Sequence, residues 1–439
     1  MPEMEAQPPA NGGASSESDD LTAAKVGPAE VPAGSLSEYM RAWWARVRSG
    51  DAGVLPVVIA LVAVAVVFSI ANSVFLAPAN LVNLFDQSAV FIVLAIAEGF
   101  VLLLGEIDLS IGYVGAIGGI VTGELVQPAF GWPWWVALIA GVAVCALIGL
   151  LQGAIITGLR MPAFVVTLAG YLFWFGVMIQ ILGQAGGVAI SSSVIEDQQI
   201  LKGIVYAYIP PEVAWVALAV LVIVFGGLMW RRDAARRTSG LVVAPVGLTV
   251  AKIALVAIAG AAVVAISNVD RGHQLPVIGV PWVVPLVLVV VAAFTLLLER
   301  TQFGRHMYAV GGNPEAARRA GINVSRVRTL AFVLCSATSG VAGIIYLSQL
   351  GGLTTNINGG QLVLYAVAAA VIGGTSLMGG RGRVIHGLLG GLVIGAIYNG
   401  LFLLGLPIQW QLMITGLVLL AAVSVDSLSR RSTGSMVRA

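Results

Sequence analysis

The sequence predicts an all-α, polytopic membrane protein, and three observations carry that expectation. Hydrophobic residues make up 58% of the 439-residue chain and charged residues only 10%, against about a quarter charged in an ordinary soluble domain. Mean hydropathy is +0.96. The apolar residues also fall in long runs. Twelve segments, near 55–76, 87–105, 109–126, 134–157, 163–183, 212–230, 246–267, 281–298, 327–350, 363–380, 384–405 and 409–427, approach the ~20 residues a helix needs to cross a bilayer core. The 54 glycines fit this class, because small residues let helices in lipid pack closely.

In chain order, residues 1–40 are rich in Pro, Ala, Ser, Glu and Gly without an apolar period, which reads as a disordered tail and not as a secretory signal. Residues 39–48 interleave Trp43 and Trp44 with Arg41, Arg46 and Arg48, a pattern suited to the cytoplasmic headgroup region. The membrane domain is expected over 41–430, followed by a short tail at 431–439. The second and third segments are separated only by Glu106, Ile107 and Asp108, which fits either one broken helix or a re-entrant pair. The loop at 184–211 is longer and polar, with Ser191, Ser192, Ser193, Glu196 and Asp197, and suits a soluble partner or a plain connection. Arginines concentrate in alternate loops, at 160, 231–237, 300–328, 381–383 and 430–431, whereas the opposite loops hold Lys202 and Arg271 and little else. That asymmetry places both termini and residues 311–322 in the cytoplasm. The basic stretch 231–237 anchors topology against anionic lipid, or contacts a partner.

Residues 311–322 spell a short, complete helix. Asn313 is a good N-cap, and Pro314 suits the first helical position, where its missing N–H costs nothing. Glu315 in the first turn and Arg318 and Arg319 in the last complement the helix dipole. Gly321 can take the left-handed conformation that ends a helix. Such a helix spans about seven residues, too few to be stable alone in water. Its Ala316, Ala317 and Ala320 are small enough for another backbone to approach. The segment is a docking element or an ordinary loop helix.

Other chemistries are excluded or unsupported. The chain holds only Lys25, Lys202 and Lys252, and none closes a phosphate-binding Gly-x4-Gly-Lys-Ser/Thr loop, so any ATP energy would have to come from another polypeptide. His273, His306 and His386 occur singly with no metal-ligand spacing, and Cys145 and Cys335 lie inside apolar stretches as packing residues. No nucleophile-and-base arrangement supports an enzyme, and so few arginines beside a membrane span do not suit nucleic acid. A weak internal echo lays 105–112 over 373–380, each following an apolar segment and preceding a glycine-rich one, as in transporters built from two halves.

Three motifs carry a resemblance. Residues 103–112, Leu-Leu-Gly-Glu-Ile-Asp-Leu-Ser-Ile-Gly, are similar to the Gly-Gly-Ile-Asp-Leu-Ser-Val-Gly signature of bacterial sugar ABC-transporter permeases, with Glu106 in place of a glycine. Residues 311–322 resemble the same family's cytoplasmic loop. Residues 369–382, Ala-Ala-Val-Ile-Gly-Gly-Thr-Ser-Leu-Met-Gly-Gly-Arg-Gly, are the third match. The extra apolar material within 212–298 makes the chain most similar to the xylose branch of the ribose, xylose and arabinose permeases.

The resemblance implies an importer of a pentose such as D-xylose in the bacterial cytoplasmic membrane. It implies a permease homodimer, a periplasmic or extracellular sugar-binding protein, and separate ABC subunits that use ATP and Mg. The chain itself would bind no cofactor. Residues 313–321 would be the coupling helix that docks on the ATPase. Rival readings are a permease for another small solute such as a branched-chain amino acid, or a stand-alone secondary transporter.

Within this frame the acidic residues at membrane depth stand out, because ionisable groups there are costly and face a cavity or a partner. Asp108 is a helix cap, a loop anchor or a sugar contact, and either Asp108 or Ser110 can cap the helix that follows. Glu98 pairs with an arginine or lines the pathway. A neutral sugar needs hydroxyl partners and an aromatic platform. Thr167, Tyr171 and Trp174 recur every three or four residues and so share one helix face, and Asn399 lies in the eleventh segment. The plain alternative for all four is helix packing.

Overall fold

The computed structural model describes residues 41, 44, 53–190, 195–239, 245–272, 276–418 and 420. The expected tails at 1–40 and 431–439, most of 39–48, Ser191–Ser193 and His273 lie outside the described residues.

Each of the twelve apolar segments contains a helix. They are α1 (Leu55–Ala71), α2 (Pro78–Leu102), α3 (Ile111–Leu125), α4 (Trp134–Gly158), α5 (Ala163–Leu182), α7 (Pro211–Thr238), α8 (Val246–Ser267), α9 (Val283–Arg300), α12 (Val324–Leu350), α13 (Gly359–Ile372), α14 (Val384–Leu403) and α15 (Ile408–Val418). Three more polar helices stand between them: α6 (Glu196–Tyr206), α10 (Gln302–Gly312) and α11 (Pro314–Arg319). Among the described residues, eight helices are long and apolar enough to cross a membrane; α1, α3, α13 and α15 are shorter. Prolines start several of them, at Pro78 and Pro211 for example, where the fixed φ suits the first turn. The basic stretch 231–237 is not a loop but the last turns of α7.

The link between the second and third segments is an eight-residue break, from Leu103 to Ser110, longer than the three residues expected. The tenth segment also breaks early. Helix α13 stops at Ile372, and 373–383 form turns before α14.

The described residues divide into two compact units, one holding those within 1–45 and 222–256, the other those within 46–221 and 257–439. In the first, the Thr249 hydroxyl of α8 donates to Asp233 Oδ2 of α7 at 2.6 Å, and Gly226 lies against Ile253. In the second, α12 is the central helix, packed on α2, α3 and α4, while α14 lies along α2. Glycines set the closest crossing. Gly115 and Gly119 of α3 face Ser339 and Gly343 of α12, and Gly343 meets the Gly115 carbonyl with no room for a methyl group. This is the small-residue packing that lipid-embedded helices use in place of a hydrophobic driving force.

The polar loop at 184–211 is built, not a plain connection. Strand β1 (Gly187–Ala189) pairs antiparallel with β4 (Gly352–Thr354), and β2 (Tyr208–Ile209) with β3 (Val280–Pro281). Between the strands, the Ser348 hydroxyl donates to the Lys202 carbonyl at 2.9 Å and accepts from the Val205 N–H at 3.2 Å, fixing α6 on the end of α12.

Candidate functional site

Helix α11 forms as its residues dictate. The Asn313 side chain accepts the Ala316 N–H at 3.0 Å, Pro314 opens the helix, and Arg318 reaches Glu315 at 2.6 Å. At the other end Gly321 has φ +84°, and the Ile322 N–H returns to the Ala317 carbonyl at 3.0 Å. The Glu315–Arg318 pair is exposed and adds little stability. What holds so short a helix is Ala317, 4% exposed and packed in the core with Met307, Val310, Val324 and Val327. The three alanines therefore divide: Ala317 faces the protein's own interior, whereas Ala316 and Ala320 are exposed with Asn313, Pro314, Glu315, Arg318, Arg319 and Gly321.

The two helix breaks are built alike. Helix α2 ends on Gly105, φ +75°, with the Glu106 N–H bonded to the Val101 carbonyl at 3.1 Å. Helix α13 ends on Gly374, φ +107°, with the Thr375 N–H bonded to the Ala370 carbonyl at 3.0 Å. In each, a left-handed glycine lets the chain fold back to satisfy a last-turn carbonyl. The same ending closes α11 at Gly321 and α14 at Gly405, so it is a shared helix stop and not a mark of repetition, and it pairs Gly105 with Gly374, one residue off the overlay of 105–112 on 373–380.

These breaks meet each other and the end of α10. The Gly380 N–H donates to the Leu103 carbonyl at 2.9 Å. A Cβ on Gly379 would stand 2.9 Å from both the Gly105 nitrogen and the Gly311 carbonyl oxygen, and one on Gly311 would overlap the Leu103 carbonyl. Beside this node the Tyr308 hydroxyl of α10 donates to the Gly382 carbonyl at 2.8 Å. Burial pushes that phenol above its ordinary pKa, with the Glu299 charge adding to the shift and Arg383 opposing it. Backbone contacts between glycines leave little freedom for one segment to move without the others.

A buried polar network fills the first break. The Asp108 Oδ1 accepts the Ser110 N–H at 2.9 Å and the Ser110 hydroxyl at 2.6 Å, a turn that anchors the chain just before α3; Ser110 stands at the N-cap position and neither side chain bonds an N–H of the helix itself, so the expected cap is a loop anchor instead. Gln152 of α4 donates to the Ser110 hydroxyl at 2.9 Å. Glu98 accepts the Asp108 N–H at 3.1 Å and meets no arginine among the described residues. Glu98, Asp108 and Ser110 are fully buried, so they build the break and line no open passage here. The acid that does pair with arginine is Glu106, which accepts the Arg328 Nε–H at 2.6 Å.

Thr167, Tyr171 and Trp174 share the face of α5 that turns toward this break. The Thr167 hydroxyl donates to the Ile107 carbonyl at 3.3 Å. Gly170 lies between them, where a Cβ would come 2.7 Å from Gln152 Nε2. Tyr171 meets Tyr113 edge-on, with centroids 4.9 Å apart, and Tyr113 stacks on Phe175 at 4.7 Å. Asn399 is elsewhere. It exchanges amide hydrogen bonds with Asn80, at 2.8 and 3.1 Å, and donates to Gln87 at 3.1 Å, joining α14 to α2. Sequence reasoning missed Gln152, Arg328 and Tyr113; it offered Tyr398 beside Asn399 in the eleventh segment but missed Phe91 and Tyr365, which form a second aromatic group with Tyr398, ring centroids 5.1 to 6.1 Å apart. Their spacing in the chain carries no signal of contact.

Residues 80–423 match the family described as "Branched-chain amino acid transport system / permease component". The chain is similar to the xylose transport system permease protein of Escherichia coli (strain K12), 31% identical over 93% of this chain and 99% of the relative. The xylose permease of Haemophilus influenzae is 35% identical over 86% of this chain and 97% of its own. The ribose import permease of Escherichia coli (strain K12) is 28% identical over 84% and 92%. No solved structure matches.

Proposed function

The chain belongs to this family of membrane permease components, and from that premise we propose that it is the permease subunit of an ATP-driven, binding-protein-dependent importer of a pentose, D-xylose first among them. The observation that carries the substrate is the near end-to-end match to two xylose permeases, 99% and 97% of their lengths, which takes in the apolar stretch 212–298. The ribose permease matches over 92% of its length at lower identity.

Helix α11 supports the rest of the reading. Its exposed rim of Asn313, Pro314, Glu315, Ala316, Arg318, Arg319 and Ala320 is a rigid, capped surface in an arginine-rich segment, placed on the cytoplasmic side by the charge asymmetry of the loops. A separate ABC subunit, burning ATP with Mg, docks there. A sugar-loaded binding protein docks on the opposite side, and two permeases form the pathway. Both termini are cytoplasmic. Thr167, Tyr171 and Trp174, with Tyr113, supply the hydroxyls and rings that a neutral sugar passes. Asp108, Ser110 and Glu98 hold the break, and Asn399 holds α14 to α2.

Reconstitution in liposomes tests the assignment. The chain with its ATPase and binding protein takes up D-xylose only when ATP is supplied, and the chain alone takes up none. Uptake by the chain alone would make it a secondary transporter. Uptake of a branched-chain amino acid in place of a pentose would assign the substrate that the family's description names.

A further inference from the structure

Arg328 lies one turn into α12, close after the coupling segment, and Glu106 lies in the break between α2 and α3. They are joined by the Arg328 Nε–H to Glu106 Oε1 bond at 2.6 Å, and a terminal guanidinium nitrogen meets the same oxygen. Both side chains are largely buried, at 28% and 13% exposure. A pair sheltered to that degree is less screened than a surface one and, once one partner is removed, leaves a charge that water cannot fully solvate.

The neighbours of each partner make the pair a bridge. On one side, α11 leads through Asn323, whose side chain accepts the Arg326 N–H at 2.9 Å, directly into the turn carrying Arg328. The next residue, Thr329, bonds the Gly153 carbonyl of α4 at 3.3 Å and the Thr157 hydroxyl at 3.1 Å. On the other side, Glu106 is two residues from Asp108, which anchors Ser110 at the start of α3, and Ser110 is bonded to Gln152 of the same α4. The glycine node ties α10 to α2 through backbone packing alone. Glu106–Arg328 is the charged tie between the base of α12 and the break between α2 and α3; farther along α12 the Cys335 thiol adds a weaker contact, donating to Asp108 Oδ2 at 3.8 Å.

We propose that the Glu106–Arg328 ion pair is a positioning element for energy coupling: it holds the base of α12 to the α2–α3 break, so that displacement of α11 by the ATPase reorients α3. This rests on the reading of α11 as the ATPase-docking helix. A pair that acts this way must be recoverable by exchanging its charges, since the tie depends on opposite signs and not on which helix carries which.

The experiment uses the assembled transporter in liposomes, with ATP hydrolysis measured in the absence and presence of the xylose-loaded binding protein, and sugar uptake alongside. Wild type must first show stimulation; its absence would remove the docking reading itself and not this pair. E106Q and R328Q each reduce the stimulation ratio roughly fivefold, at the lower end of ordinary coupling free energies, with basal hydrolysis per assembled complex near wild type and a lowered melting temperature from the charge left unpaired. The exchanged variant E106R/R328E restores at least half of the ratio. E106D, which keeps the charge on a shorter arm, loses an intermediate share and serves if a glutamine variant fails to assemble. Full stimulation in assembled E106Q, R328Q or E106D, or no recovery in assembled E106R/R328E, overturns the proposal.

Discussion

Gly311, in the last turn of α10, meets the Leu103 carbonyl beyond the end of α2 so closely that no methyl group fits between them. The next residue, Gly312, has open space where a Cβ would stand. Two adjacent glycines therefore make opposite predictions. G311A forces the segment before α11 away from the α2 break and costs about 1–3 kcal/mol, as overpacking does. It lowers the melting temperature of the purified permease and the ATP hydrolysis it supports. G312A leaves both unchanged. Equal behaviour of the two variants in a thermal melt would contradict the close approach.

Asp108 acts as a hydrogen-bond acceptor for the Ser110 N–H and hydroxyl. D108A leaves both donors buried without their acceptor, at a cost of about 1–3 kcal/mol. D108N keeps a carbonyl oxygen in the same place and retains most of the stability. Denaturation of the two variants in detergent separates hydrogen bonding from charge: if D108N falls as far as D108A, the negative charge itself is required.

Ala316 and Ala317 are neighbours in sequence with different duties. Ala317 is buried, in the same core cluster as Met307, Val310, Val324 and Val327, so A317W destabilises the permease itself by roughly 1–3 kcal/mol. Ala316 is exposed, so A316W leaves the melting temperature intact and prevents the ATPase from co-purifying. An A316W permease that still retains its ATPase would place the docking surface elsewhere.

Asp270 gives a pH dependence with a fixed sign. Its Oδ1 accepts the N–H groups of Gly272 at 2.9 Å and Val277 at 3.0 Å, and these bonds hold the carboxyl below its usual range. A depressed folded-state value means that the contribution is present above the unfolded pKa of about 3.9 and is lost as pH falls through the folded value. Hydrogen-exchange protection of the Gly272 and Val277 amides is therefore full at neutral pH and declines on acidification below about pH 4. D270A abolishes it at every pH. Protection that persists through that range in the native protein would contradict the assignment.

The helices were legible because their signals are local. Twelve apolar runs became twelve helices, and Asn313, Pro314 and Gly321 took the cap positions their chemistry suits. The inward turn of Ala317 was not legible, because a helix too short for a periodic pattern gives no sign of which alanine faces the core. The overlay of 105–112 on 373–380 did not locate where the two helices stop. Gly373 and Gly374 look alike in sequence, and only the positive φ of Gly374 identifies the partner of Gly105. Glu98, expected to meet an arginine or line a pathway, instead accepts a backbone N–H, while Glu106 holds the arginine. Choosing between two acids eight residues apart requires knowing where α12 passes, which no local pattern encodes.

The most direct test of the transport assignment is ATP hydrolysis by the purified complex of this permease, its ATPase and its binding protein in liposomes. D-xylose-loaded binding protein is expected to raise the rate several-fold over the same protein without sugar, and a branched-chain amino acid is expected to leave it at the basal level. A rate indifferent to the loaded binding protein, with xylose entering liposomes that contain this chain alone, would contradict the account.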